Sequence, residues 1–442
     1  MQAKTFKQGI HPCYNKEATA SKSLKKVQTP DEVVIPLQQH IGAPCEALVE
    51  VGDKVQVGQK IGDSESFVSA PVHASVSGEV TAVGPVMTSD GSDTLAVTIA
   101  SDGQNTLHES VKPKGDVESL SPDELRNIVR EAGIVGLGGA TFPTHVKVSV
   151  PKDKNVDTVI LNGAECEPYL TVDHRMMVEA PDEVAYGLKA IMKMTGANRG
   201  YIGIELNKPD AIEEMEKAVS DEANVSVVPL EVKYPQGAEK QLIKACLDRE
   251  VPSGGLPLDV GVVVNNIGTA FAITDAIKNG MPLVQRTVTV TGSAVKSPQN
   301  LIFCLGTKLE ELIEQCGGTE GNVGKVILGG PMMGIAQHST DVPATKATSG
   351  ILVFQEDEVE EFEPKHCIRC ARCVDVCPAF LLPVTLSKVA QADMITKLDD
   401  YNVFDCIECG SCSYVCPAKI PLLHWIRLGK AILTAQQRKS DE

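Results

Sequence analysis

CIRCARCVDVCP, residues 367–378, and CIECGSCSYVCP, residues 406–417, share one pattern: four cysteines separated by two, two and three residues, then proline. A cubane iron–sulfur cluster needs thiolates that converge on it from several directions. A two-residue spacing lets a tightly turned backbone aim three of them at one cluster, while the fourth, beside proline, points away and reaches the other. The expected ligand sets are therefore crossed. Cys367, Cys370, Cys373 and Cys416 would hold one [4Fe–4S] cluster, and Cys406, Cys409, Cys412 and Cys377 the other. Structural zinc is the competing reading, but it ordinarily takes four ligands from paired C-x2-C motifs, not four in each half with a trailing proline.

The rest of the composition frames these motifs. The chain has 442 residues, enough for several cores, and a formal net charge of −17; nucleic-acid binders instead show a clustered basic footprint. Nowhere do about 18 apolar residues run without interruption, so no spanning segment is expected, and the N-terminal MQAKTFKQGIHP lacks the apolar core of a secretory signal. Eight of the 14 cysteines lie in the two motifs, which fits reduced thiols in a cytoplasmic compartment better than disulfide stapling. The other six (Cys13, Cys45, Cys166, Cys246, Cys304 and Cys316) read as buried small hydrophobes.

An N-terminal arm and four domains are expected, in a multidomain α/β fold. Residues 1–30 are polar and aperiodic, an extended arm. Residues 31–103 alternate β-branched residues with glycine turns, an all-β module. GDKVQVGQKI followed by APVHASVSGEV resembles the barrel-sandwich hybrid of biotinyl and lipoyl carriers. The tip of its central hairpin, Ser64–Ala70, has no lysine to modify, so a structural module is expected. SPDEL at residues 121–125 reads as an N-cap with proline at the first helical position. From there strands and helices alternate through residues 121–280, with β-like runs at Thr158–Leu161, Tyr201–Leu206, Val225–Val232 and Val260–Val264. That alternation predicts an α/β domain with a parallel sheet. Residues 281–352 read strand, helix, strand, a β-grasp (SLBB-like) module, and an acidic linker (355–365) follows. VTLSKVAQADMITKLDDYNVF, residues 384–404, has helical periodicity between the cysteine motifs, so residues 365–442 are closest to an α-helical ferredoxin-like two-cluster domain.

Four segments of the α/β domain carry ligand-binding signals. GIVGLGGATFPTHVK, residues 133–147, has enough glycine for backbone amides to approach an anion. Asn162-Gly-Ala-Glu165-Cys-Glu167-Pro ends one predicted strand, Tyr234-Pro-Gln-Gly-Ala-Glu239 lies at a strand-to-helix turn, and Asn265-Asn266-Ile-Gly-Thr269 ends a strand before a helix. Strand ends are where open α/β sheets bind ligands, and a helix start suits phosphate.

In this order the four segments resemble the flavoprotein (NADH-binding) subunit of respiratory complex I. Together with the Ile10–Glu17 arm, the β-module, the β-grasp and the two-cluster tail, they resemble the RnfC family over nearly the whole chain. That family belongs to the Rnf complex, a membrane-bound, ion-translocating ferredoxin:NAD+ oxidoreductase. The resemblance implies that Gly136, Gly138, Gly139, Lys147, Asn162, Glu165, Asn265, Asn266 and Thr269 line FMN. It also implies that Phe142, Glu167, Tyr234 and Glu239 face NAD(H). Two positions depart from the complex I pattern: Ala164 replaces an aspartate and Ala238 a glutamate. The implied chemistry is hydride exchange between NAD(H) and FMN, with single electrons passed between flavin and clusters. The implied setting is the cytoplasmic face of the membrane, docked on the complex's other subunits through the arm and the surface near the clusters. Two alternatives are an FMN and iron–sulfur cobalamin reductase, which begins close to the glycine-rich segment, and an electron-relay scaffold without active flavin.

Overall fold

A computed structural model describes residues 3–360 and 362–441, the last three of these by backbone alone. The N-terminal β-module is two facing sheets. One orders Glu32–Pro36, Asp93–Ser101, Gly78–Met87 and Lys54–Val55; the other orders Glu46–Ala47, Lys60–Asp63 and Val72–His73. Alternate residues of both (Val33, Ile35, Ile61, Val72, Val97, Ile99) fill the space between them, as the period of two requires. The lysine-free tip is tied down. Arg130 donates to both carboxylate oxygens of Asp63 and to the Ser64 carbonyl, and His145 Nε2 lies 3.0 Å from the Phe67 carbonyl.

The central domain is a four-stranded sheet of β1 (Thr158–Gly163), β2 (Arg199–Glu205), β3 (Val225–Leu230) and β4 (Val262–Asn266). Its order is β3-β2-β1-β4, all parallel. The chain winds outward from β1 to β3 and then crosses back to place β4 on the other side of β1. The strand order reverses between β1 and β4, which is where doubly wound sheets open a ligand crevice. In register, Asn265 lies beside Leu161 and Asn266 beside Asn162, so the strand-end asparagines meet at that reversal. Three helices frame the crevice: α1 (Val172–Glu179), α2 (Glu239–Leu247) and α3 (Ile267–Lys278). Ser121 forms the expected N-cap, in a reciprocal capping box with Glu124. Gly187 lets the helix Pro181–Thr195 close on α3, since a Cβ there would stand 2.0 Å from the Ala270 carbonyl oxygen.

The β-grasp adds a six-stranded mixed sheet, Gln285–Thr291 at its centre, with the helix Leu309–Glu314 against it. Its edge strand is Lys25–Lys26 from the arm, paired in parallel with Leu301 and Ile302. The arm is thus built into the molecule. Lys4 bridges Leu230, Ile10 bridges Tyr234, and the Gly9 amide donates to the Val376 carbonyl in the cluster domain. In the cluster domain the expected inter-motif helix breaks in two, Pro383–Gln391 and Lys397–Asp400, with Asp393 in a left-handed conformation between them.

Lys346 pins three domains. Fully buried, it donates from the β-grasp to the Pro71 carbonyl of the β-module, at 2.9 Å, and to the Gly133 carbonyl of the central domain, at 2.7 Å. Burial lowers its pKa from 10.5 to about 8. Between those two values the unfolded chain holds a proton that the folded chain does not, so this group makes stability rise with pH across that window. The gain should reach roughly 3 kcal/mol. Urea midpoints measured from about pH 8 to 10 should climb less steeply in Lys346→Met than in the parent; parallel profiles would refute the assignment.

Candidate functional site

The crevice at the reversal point is lined by backbone and amide groups. Asn266 caps α3, its Oδ1 accepting from the Gly268 amide at 2.8 Å, and its Nδ2 donates to Asp173 at 2.6 Å. Thr269, buried one turn on, accepts from the Leu137 amide at 3.0 Å and so moors the glycine-rich loop over the start of α3. Gly136 donates to the Phe142 carbonyl, closing that loop. Gly138 packs directly on Asn266, where a Cβ would stand 2.8 Å from Nδ2, whereas Gly139 faces open space. Asn162 donates to the Gly237 carbonyl at 2.7 Å and ties the end of β1 to the loop before α2. At the rim, Lys147 and Glu239 form a half-exposed ion pair at 2.7 Å.

A flavin mononucleotide fits this donor set. Asn265 Nδ2 is buried and without a partner among the described residues, an orphaned donor at the strand end. Gly139 leaves backbone open to close approach. The first-turn amides of α3, a 12-residue helix, face the same loop, the usual provision for a phosphate.

Three of the residues predicted to line the ligand spend hydrogen bonds on other parts of the protein. Glu165 uses both carboxylate oxygens on the Asp173 and His174 amides, capping α1. Glu167 accepts from the Met332 and Met333 amides of the β-grasp at 3.1 and 3.0 Å, and burial raises its pKa to about 7. Tyr234 is 1 % exposed and donates to the Cys409 carbonyl at 2.8 Å. These groups join domains; Phe142 and Glu239 keep a partly exposed place near the crevice.

Two lysines that solvent-seeking chemistry hid from the sequence hold the loop after β1. Lys16 of the arm donates to the Glu165, Glu167 and Leu170 carbonyls, and Lys208 to the Ala164 carbonyl. Burial lowers Lys16 to about 8. The loop's carbonyls turn inward toward these ammonium groups.

The structure brings Cys377 of the first motif together with Cys406, Cys409 and Cys412 of the second, around one apolar cavity closed by Leu381, Leu386 and Ile426. Burial pushes the Cys412 thiol up to about 12, with Cys406, Cys409 and Cys377 contributing in the same direction. Three of these cysteines are buried and Cys406 partly so, and four sulfurs converging on one cavity suit a cationic iron–sulfur core. Among the described residues no three His, Cys, Asp or Glu side chains stand close enough to share a single ion; the four thiols ring a cavity. Cys373 is raised chiefly by burial, and Cys416 of the second motif lies near enough to add to that shift. This second set is more open: Cys370 is exposed and Cys367, Cys373 and Cys416 partly so. Among the six remaining cysteines five are buried as expected and Cys13 is exposed.

Tyr234 and Cys166 pack with Ile10 and Cys409, and the Cys166 sulfur accepts from the Gly237 amide. The space between the crevice and the buried thiol set is therefore filled with side chains and closed to water. Tyr234→Phe should keep the packing and lose one hydrogen bond to a buried carbonyl, costing about 1–2 kcal/mol. Unchanged thermal and chemical stability would contradict that bond.

Comparison with known proteins gives matching family descriptions. Residues 4–104 match the RnfC barrel sandwich hybrid domain, 129–275 the Nuo51 FMN-binding domain, 287–336 the SLBB domain and 360–417 a 4Fe-4S dicluster domain. The C subunit of the Na+-translocating ferredoxin:NAD+ oxidoreductase complex of Acetobacterium woodii is 50% identical over 99% of both chains. Its counterpart in the proton-translocating ferredoxin:NAD+ oxidoreductase complex of Clostridium ljungdahlii is 48% identical over 97% of this chain and 94% of its own. That of the ion-translocating oxidoreductase complex of Rhodobacter capsulatus is 39% identical over 100% and 86%. Among solved structures, an NAD+-reducing [NiFe]-hydrogenase chain in the air-oxidised state shares the fold at a TM-score of 0.50 and 18% identity, over 70% of this chain and 61% of that one.

Proposed function

Since the chain belongs to the RnfC family, the C subunits of ion-translocating oxidoreductase complexes, we propose that it is the NAD(H)-side electron-transfer subunit of such a complex, exchanging electrons ultimately with ferredoxin. FMN and two [4Fe–4S] clusters are its cofactors. FMN, when bound, exchanges hydride with NAD(H) as a pair and electrons singly with the clusters. The observation that carries the reading is the reversal-point crevice, with Asn162, Asn265 and Asn266 at the ends of adjacent strands, abutting the buried thiol set through Tyr234.

The glycine loop, the start of α3 and Asn265 would hold the phosphate and ring. Asn162 fixes the loop before α2, and the Lys147–Glu239 pair guards the entrance, where an acidic group disfavours a 2′-phosphate and so NADPH. Glu167 holds the crevice against the β-grasp and Tyr234 holds it against the cluster domain, instead of touching nucleotide. The chain's place, by kinship with the C subunits of these complexes, is docked peripherally on their other subunits at the cytoplasmic side; among the described residues no helix is long and apolar enough to cross a membrane.

An anaerobic NADH titration read by flavin absorbance and EPR tests the reading: flavin should bleach and both clusters should be reduced in one sample, with NADPH far less effective. A chain with full clusters, no flavin and no response to NADH would be an electron relay instead.

A further inference from the structure

The two cysteine motifs fold alike and are dressed oppositely. Arg369 and Glu408 occupy the same place in their motifs, both left-handed at φ 56° and 58°; Ala371 matches Gly410, and Phe380 matches Lys419, in the same way. Glu408 is held internally by Arg427 at 3.0 Å and Lys430 at 2.9 Å. Arg369 is exposed, as are Arg372, Lys365 and Lys419, and none of the four forms an ion pair among the described residues. Lys419 covers the Phe362 ring instead. The acids adjoining them in sequence are Asp375 and, at the end of the acidic linker, Glu360 and Glu363. In a chain of net charge −17, unpaired cations therefore gather around the open thiol set, with Ile368 68 % exposed and Tyr414 51 % exposed among them.

Resting on the function proposed above, we infer that this basic, apolar-centred rim is the docking surface for an acidic one-electron carrier protein. With a cluster held by Cys367, Cys370, Cys373 and Cys416, one electron would pass between it and the docked carrier, one centre being oxidised as the other is reduced, with no proton or group moved. Charge complementarity selects the occupant: opposite charges steer encounter and align the two centres, and an exposed aliphatic at the middle supplies the dry contact. An anionic lipid surface would also attract the rim, but it gives no reason for the cations to ring the exposed thiol set and leave the buried one.

The test uses the full, cluster-loaded chain and two probes, an acidic two-[4Fe–4S] ferredoxin and the cationic cytochrome c. Binding by the ferredoxin should weaken severalfold as salt rises from about 50 to 300 mM, since the Debye length shrinks below the span of the rim. Arg369→Glu/Arg372→Glu should lose roughly tenfold or more in affinity. Lys365→Glu/Lys419→Glu, outside the cysteine spacers, should follow if the first pair perturbs cluster assembly, which iron content and EPR report. Ferredoxin binding indifferent to salt and to both pairs would overturn the inference, as would preference for cytochrome c. Capture by anionic vesicles in place of ferredoxin would assign the rim to lipid and also overturn it. A chain that passes the NADH titration yet fails here loses only the docking surface.

Discussion

Cys377→Ala should remove the buried cluster and spare the open one, although Cys377 lies in the motif whose first three cysteines serve the open one. Iron should fall from about eight to about four per chain. The geometry behind this is the cavity shared by Cys377, Cys406, Cys409 and Cys412. Double variants separate crossed from uncrossed ligation. Cys377→Ala/Cys412→Ala strikes one cluster twice and should keep about four irons, whereas Cys377→Ala/Cys370→Ala strikes both and should keep almost none. Flavin content should survive in all of them, because the crevice is built from the central domain. The reverse pattern of iron in the two double variants would rule out crossed ligation. Electron exit should be abolished in every variant lacking the buried cluster, since Tyr234 joins the crevice to Cys409 and not to the open set.

Gly138→Val should lower FMN affinity by roughly 100-fold or more while leaving both clusters in place. The new Cβ would stand 2.8, 2.9 and 3.0 Å from Nδ2, Cβ and Cγ of Asn266. Asn266 cannot yield freely, because it caps α3 and donates to the Asp173 carboxylate. Displacing it costs about 1 kcal/mol for the cap and about 1–3 kcal/mol for the partner left unpaired, and each 1.4 kcal/mol is tenfold in binding. Flavin fluorescence titration of deflavinated protein would measure it. Gly139→Ala is the companion: nothing in the protein lies within 4 Å of its added carbon, so it should weaken FMN without shifting stability. Parent-like affinity in Gly138→Val would remove the loop from the site.

What the sequence made legible was local. Strand runs at Thr158–Leu161 and Val225–Val232 declare themselves by β-branched residues, and the observed strands differ by two residues at their ends. Cysteine spacing encodes its own geometry, and so does Ser121 before Pro122. Side-chain direction at the strand ends was not legible, because distant chain decides it. Glu167 turns inward toward two amides 165 and 166 residues away. Lys16 and Lys208 were unreadable for the same reason: a lysine is expected in water until carbonyls from another segment surround it. The arm looked loose because its strands are single bridges and a two-residue pair, too short for periodicity.

That arm sets the order in which the molecule can be completed. Residues 4–26 are made before their partners Leu230, Tyr234, Leu301 and Val376. Domains that fold as they emerge can form the two sheets and the β-grasp core without it, but the loop clasped by Lys16 stays unlatched until the arm returns. The last contact, Gly9 to Val376, lies between the third and fourth cysteines of the first motif, so final closure awaits the segment that receives iron and sulfide. The arm is thereby seated stepwise, and its last contact, from Gly9, waits for the cysteine motif itself.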